Sequence, residues 1–251
     1  MTKIAVTFTK DYLLKKARKL ASKLNLPLID QNQNPKLFRF LLIITPKRLE
    51  LREAGIKNAK PIFVDFLSPE LKYRTQRASK KNELIAKAIS IKNKKHPTVI
   101  DATAGFGVDA FIMASLGCKV TMLERSPVIR ALLEDGLERL GSGLELRMES
   151  GPDNGQPFVH CQDLTPEIIY LDPMYPEKTK SALNKKKMRI LHEIVGDDKD
   201  APKLLELALK HAKNRVVVKR PKHAEYLGGL KPDLELSSGR SSRYDVYLCY
   251  R

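Results

Sequence analysis

The chain has only three cysteines in 251 residues, Cys118, Cys161 and Cys249. Their number is odd, their spacings are wide and no Cys-x-x-Cys occurs. Neither a zinc site nor a disulfide framework is indicated, no metal is expected, and a reducing cytoplasm is the expected location. Long apolar runs are missing too. The longest, Phe40 to Ile44, falls far short of the roughly 18–20 residues that span a bilayer, so no membrane association is expected. The N-terminus, Met1-Thr2-Lys3-Ile4-Ala5-Val6, lacks the apolar stretch and cleavage site of a signal peptide. Internal repeats are absent. Negative charge is scarce: 29 Asp and Glu stand against 46 Lys and Arg, giving a net charge of +17 and a pI of about 9.7. A chain this basic is expected to meet a polyanion. Its hydrophobic fraction, 42%, is enough for a real core.

Apolar periodicity divides the chain into three stretches. Residues 1–66 read as a small α+β domain. Ile4–Phe8 is a predicted strand, and Lys10–Leu24 carries apolar residues at helical spacing. Leu26–Ile29, Phe38–Ile44 and Pro61–Phe66 are further predicted strands. Residues 67–97 read as a basic connector, in which Ser79 can cap a helix burying Leu84, Ile85, Ala88 and Ile89. From residue 98 to 251, strands alternate with helices. Strands are predicted at 99–100, 119–123, 144–148, 168–171 and 215–218, and helices at 108–116, 128–140, 180–195 and 202–212. The segments 234–236 and 243–250 form a closing hairpin. This alternation predicts an α/β domain of Rossmann-like type, with a mostly parallel sheet that binds ligands at the carboxyl ends of its strands.

Three of those strand ends carry an acid. In "VIDATAGFGVDAF" the first strand ends at Asp101, and Gly105 and Gly107 allow a tight turn close to a ligand before a helix begins. The pattern Gly-x-Gly-x-x-Ala also matches a dinucleotide fingerprint. Here, however, an acid lies four residues before the first glycine, where it repels pyrophosphate and suits a cationic cofactor such as S-adenosylmethionine. The second strand runs into Glu124, placed to accept hydrogen bonds from ribose hydroxyls. After the third strand, Ser150 and Gly151 fall where an adenine edge is expected. The fourth ends in Asp172-Pro173-Met174-Tyr175, similar to the [Asp/Asn]-Pro-Pro-[Tyr/Phe] motif of methyltransferases acting on exocyclic amines of bases. A carboxylate and the Pro173 carbonyl can accept the two amine hydrogens and turn the nitrogen lone pair toward a methyl donor, while Tyr175 can stack on a base turned out of its helix.

The blocks "IDATAGFGVDAF", "LGCKVTMLERSPVIRALLEDGLERL", "YLDPMYPEKTKSAL" and "RVVVKRP" together resemble one family, the bacterial small-subunit ribosomal RNA guanine-N2 methyltransferase J family. The resemblance runs from "IFVDF" (62–66) to the C-terminus. It implies a class I methyltransferase fold, S-adenosylmethionine as cofactor and a guanine near the 3′ end of 16S rRNA as substrate. It further implies cofactor contacts at Val108, Asp109, Glu124, Arg125, the Ser150-Gly151 position and Asp172. "DPMYP" is that family's own form of the motif. In this light the basic clusters gain a partner, 16S rRNA or the small ribosomal subunit. Lys178, Lys180, Lys185, Lys186, Lys187 and Arg189 follow the Asp172 loop, and Lys219, Arg220 and Lys222 follow the fifth strand. Arg74, Arg77, Lys80 and Lys81 lie in the connector. A monomer is expected.

Two other function classes compete. A nicotinamide-dependent oxidoreductase rests on the glycine pattern and Glu124, and leaves "DPMY" and the net charge unexplained. A non-catalytic rRNA-binding or assembly factor with a methyltransferase fold differs only in activity. Cytosine-C5 methylation is disfavoured because no cysteine stands in a Pro-Cys motif.

Overall fold

The structure, a computed structural model, describes residues 4–30, 35–79, 83–91, 96–149, 166–174, 182–196, 198–237 and 241–249. Contacts divide the chain into two compact units, one of Met1–Asp65, Ser126–Gly141 and Lys180–Val195, the other of Phe66–Arg125, Ser142–Thr179 and Gly196–Arg251.

In the first unit β1 (Ile4–Phe8), β2 (Phe40–Ile44) and β3 (Leu49–Glu53) form a sheet in that order, β1 parallel to β2 and β2 antiparallel to β3. Helix α1 (Leu14–Leu24) crosses over between β1 and β2. It buries Ala17 and Ala21 and ends at Asn25, whose left-handed φ of 51° closes the last turn. Of the other predicted strands, Leu26–Ile29 and Pro61–Phe66 reduce to single bridges, Leu28 to Val6 and Ile62 to Leu51. β3 went unpredicted because "LELRE" alternates with charge. Its Glu50 and Glu53 are nevertheless buried, Glu50 bonded by Arg48 and Arg52, and Glu53 by Arg39 and Arg189. The unit also takes in α5 (Pro127–Leu140) and α6 (Ala182–Val195). Asp135 of α5 accepts a hydrogen bond from the Leu49 amide at 2.9 Å, and Glu193 of α6 one from Arg39 at 2.8 Å.

The second unit is built on seven strands: β4 (Thr98–Asp101), β5 (Lys119–Met122), β6 (Leu146–Met148), β7 (Ile168–Leu171), β8 (Arg215–Pro221), β9 (Leu234–Ser237) and β10 (Ser242–Leu248). Their order is β6-β5-β4-β7-β8-β10-β9. The first five are parallel, and β10 is antiparallel to β8 and β9. The sheet is therefore mostly parallel with a C-terminal antiparallel hairpin, as the alternation implies. Strand period two sorts its faces. Ile100, Ile169, Leu171, Val216 and Val218 form a core with Ala201, Leu205 and Ala208 of α7 (Ala201–His211). Tyr170, Val217 and Tyr244 point the other way, the side of α4 (Val108–Ser115).

Among the described residues of 67–97 there are two helices, α2 (Pro69–Arg77) and α3 (Leu84–Ala88). Ser68 caps α2 by accepting from the Leu71 amide. The residues directly after Ser79, which its predicted cap would serve, lie outside the described residues, and the Glu83 amide donates to the Ser79 carbonyl at 3.1 Å. Glu83 is the N-cap residue, with no side-chain cap bond. Ile85, Ala86, Ala88 and Ile89 are buried, and α3 packs on α4, β9 and β10. Phe66 stacks on Phe111 of α4, ring centroids 5.1 Å apart.

Candidate active site

The acids at the strand ends converge. Asp101, the last residue of β4, is buried, and its Oδ1 accepts the Thr103 amide at 3.1 Å. Glu124, two residues past β5, is also buried, and its Oε2 accepts the Gly105 amide at 2.8 Å. Asp172 follows β7, and its amide donates to Thr103 Oγ1 at 2.6 Å. The β4–α4 loop is thus tied to both neighbouring strand ends. Gly105 and Gly107 have φ of 54° and 72°, the left-handed region that glycine enters without steric cost, and Gly107 is the N-cap of α4.

Asp109, in the first turn of α4, completes the cluster. Its Oδ2 accepts from Tyr170 Oη at 2.7 Å and from Lys219 Nζ at 2.7 Å, and the same ammonium donates to Asp172 Oδ2 at 2.8 Å. Burial pushes Asp109 toward the neutral form. The Lys219 ammonium and the two hydrogen bonds outweigh it and hold the carboxyl below its ordinary range. For Lys219 burial works against the charge, and Asp172 and Asp109 more than offset it, raising the ammonium's pKa. Among the described residues no cation bonds Asp101. Burial, with Asp109, Asp172 and Glu124 nearby, raises its pKa well above the usual carboxyl value despite the Thr103 hydrogen bond.

Other sequence-predicted residues fall as follows. Pro173 is buried behind Asp172. Val108, at the start of α4, is exposed. Arg125 pairs with Asp198 and, at 3.0 Å, with Asp200. Tyr175, Lys178, Lys180, Ser150, Gly151, Lys80 and Lys81 lie outside the described residues. Lys185, Lys186 and Lys187 fall on α6, and Arg189 of α6 bonds Glu53 at 3.0 Å.

Lys219 and Arg220 do not follow the fifth strand. β8 continues to Pro221, so both belong to it. Lys219 faces the carboxylates. Arg220, one residue on, is buried and donates to the Glu225 carbonyl at 2.7 Å. Neither side chain therefore sits on a rim loop, because the strand simply carries charged residues through its end.

Sequence reasoning also missed Thr103, Tyr170 and Asp198. Asp198 accepts the Met174 amide at 2.5 Å as well as pairing with Arg125, so it ties the Asp172-Pro173-Met174 turn to the end of β5. The available signal was "GDD" (196–198), an acidic spot in a basic chain.

The donor set can be tested against a cofactor. Glycine backbone, a strand-end carboxylate for ribose hydroxyls, and Asp101, Asp109 and Asp172 close by fit a cationic nucleoside such as S-adenosylmethionine. A pyrophosphate would be repelled there.

Comparison with known proteins gives the same answer. The SAM-dependent methyltransferase family model matches residues 19–249. Proteins called ribosomal RNA small subunit methyltransferase J are similar over almost their whole length. The one from Coxiella burnetii is 46% identical, covering 98% of this chain and 96% of the relative. The one from Thioalkalivibrio sulfidiphilus is 45% identical, covering 98% of each. The chain belongs to the methyltransferase J family. A solved SAM-dependent methyltransferase from Neisseria gonorrhoeae is 35% identical, covers 98% of this chain and 96% of its own, and superposes with a TM-score of 0.72. Membership fixes the cofactor as S-adenosylmethionine and the fold as that of class I methyltransferases.

Proposed function

We propose that this protein methylates the exocyclic N2 amine of a guanine in small-subunit ribosomal RNA, acting as a monomer in the cytoplasm. The observation that carries this reading is the Asp172-Pro173 turn at the carboxyl end of β7, on the same sheet edge as Asp101 and Glu124. The similar proteins called ribosomal RNA small subunit methyltransferase J support the substrate class.

When bound, S-adenosylmethionine supplies an electrophilic methyl group. This chain's residues do the rest. Glu124 and the glycine loop hold the nucleoside end. The Asp172 carboxylate and the Pro173 carbonyl accept hydrogens from the base's amine, whose lone pair is otherwise delocalised into the ring, and so aim that pair at the methyl group. Proline's fixed φ and its burial hold the carbonyl in place. Transfer exchanges the donor's methyl–sulfur bond for the new N–C bond, leaving S-adenosylhomocysteine, and the proton the amine gives up goes to the Asp172 carboxylate or to solvent. Tyr175 stacks on the base, and Lys178, Lys180 and Lys185–Lys187 bind phosphates.

Single-turnover transfer to 16S rRNA and to 30S particles, with nucleoside analysis by mass spectrometry, tests the proposal. N2-methylguanosine is the expected product. Asp172→Ala should lower the rate by about 10²–10³ while the protein stays folded. A methylated cytidine or adenosine, or near-normal transfer by Asp172→Ala, would refute it. RNA binding with no transfer at all would favour the non-catalytic assembly factor.

A further inference from the structure

Lys219 is placed unlike a phosphate-binding lysine. β8 runs parallel to β7 with Val218 opposite Leu171, which brings Lys219 level with Asp172. On the other side it pairs with Tyr244 of β10. Its side chain is only 26% exposed, and its ammonium bridges Asp109 and Asp172 at 2.7 and 2.8 Å. Asp109 is itself held by Tyr170. The groups facing this point from other elements are Asp101 of β4, Glu124 after β5, Tyr244 of β10 and Arg74 of α2. Arg74 is already bonded to Glu83, at 3.1 Å. A half-buried ion pair is weak evidence for a stabilising role, because desolvation offsets most of the attraction. The placement against a catalytic carboxylate is what calls for explanation.

We propose that Lys219 is a positioning residue for methyl transfer, orienting the Asp172 carboxylate, keeping it ionised, and balancing the negative charge of the cofactor site. Two consequences follow. Without the ammonium, Asp109 and Asp172 face each other as like charges, and one of them must hold its proton to higher pH. A protonated Asp172 is a weaker acceptor for the amine hydrogens and cannot take the amine's proton. Above the pH at which both carboxyls are ionised, the site is also more negative by one charge. That favours a cofactor with a positive sulfur over its neutral demethylated product, so the reactant is held more tightly relative to the product. The proposal rests on the methyltransferase reading for the substrate, but its cofactor arm needs no RNA.

The test compares Lys219→Met and Lys219→Arg with the unmodified protein. Calorimetry gives the affinities for S-adenosylmethionine and S-adenosylhomocysteine, and single-turnover transfer is followed against pH. For Lys219→Met we expect S-adenosylmethionine to gain several-fold over S-adenosylhomocysteine, measured above the shifted acid limb where both carboxyls are ionised. We also expect transfer at neutral pH to fall at least tenfold, and the acid limb of the rate profile to move up by about one to three units. Lys219→Arg keeps the charge, so the affinity ratio and the acid limb should stay in place while the rate falls. Adding Asp109→Asn to Lys219→Met restores the net charge and should return the affinity ratio to its original value. If Lys219→Met loses rate or melting temperature with ratio and limb unmoved, the lysine is merely structural. If it loses RNA affinity alone, Lys219 is a phosphate-binding residue after all. Either result overturns the proposal. Should Lys219→Met not fold, a shifted ratio or limb in Lys219→Arg overturns it equally. If the unmodified protein transfers nothing to RNA, the substrate reading fails and the affinity ratio still decides the role of Lys219.

Discussion

At the scale of single residues, the site combines carboxylates with different environments, and they should answer differently to substitution. Glu124 accepts the Gly105 amide; if it also takes the ribose hydroxyls, as proposed, Glu124→Ala should weaken S-adenosylmethionine binding by roughly 1–3 kcal/mol in calorimetry, and Glu124→Gln by less. Asp101 is the opposite case. Its folded pKa is raised by burial above the ordinary aspartate value of 3.8. The ionised form is therefore penalised in the folded state above that raised value, and the penalty fades as pH falls toward 3.8. Asp101→Asn keeps an oxygen for the Thr103 amide and drops the charge. Its melting temperature should exceed that of the unmodified protein most at the alkaline end, with the gap closing on acidification; a gap independent of pH would contradict the assignment. Asp101, Glu124 and Asp172 were legible in the sequence because an apolar run stopping at an acid marks a strand end. Lys219 was not. β8 outlasts its apolar run Val216–Val218 by three residues, and a charged residue inside a strand looks like a loop until its partners across the sheet are known.

At the scale of elements, the parallel core was legible from period and order, while the elements stabilised by ion pairs were not. β7, buried at all four positions, begins and ends where the sequence places it, since burial on both faces leaves an unbroken apolar run. β3 escaped because its buried positions include glutamates that only the arginines around them make tolerable. α2 escaped because none of its residues is buried, so it writes no apolar stripe. The core between β7, β8 and α7 should be correspondingly sensitive. Leu205 is almost wholly buried there, and Leu205→Ala should cost about 2–5 kcal/mol in denaturant titration. A loss below about 1 kcal/mol would mean that α7 is not an integral part of this core.

At the scale of the whole molecule, the net charge of +17 is a property of the chain rather than of the sheet edge, where carboxylates gather. The two are compatible if the cations grip the RNA backbone outside the cofactor pocket. Reversing Lys185, Lys186 and Lys187 to glutamate should weaken RNA binding and flatten its salt dependence, by about 0.7–0.9 in log–log slope for each phosphate no longer neutralised. Affinity for S-adenosylmethionine should not move; an unchanged slope would reduce these lysines to solvated charge. The make-up of the first unit has a consequence for biosynthesis. Its three-stranded sheet is complete by residue 53, yet the helices grouped with it arrive at 127–140 and 182–195. At ordinary translation speeds the ribosome takes on the order of ten seconds to add the roughly 130 residues between 65 and 195. Throughout that interval the emerging sheet waits for α5 and α6, so the amino-terminal unit is among the first parts made and among the last able to finish folding.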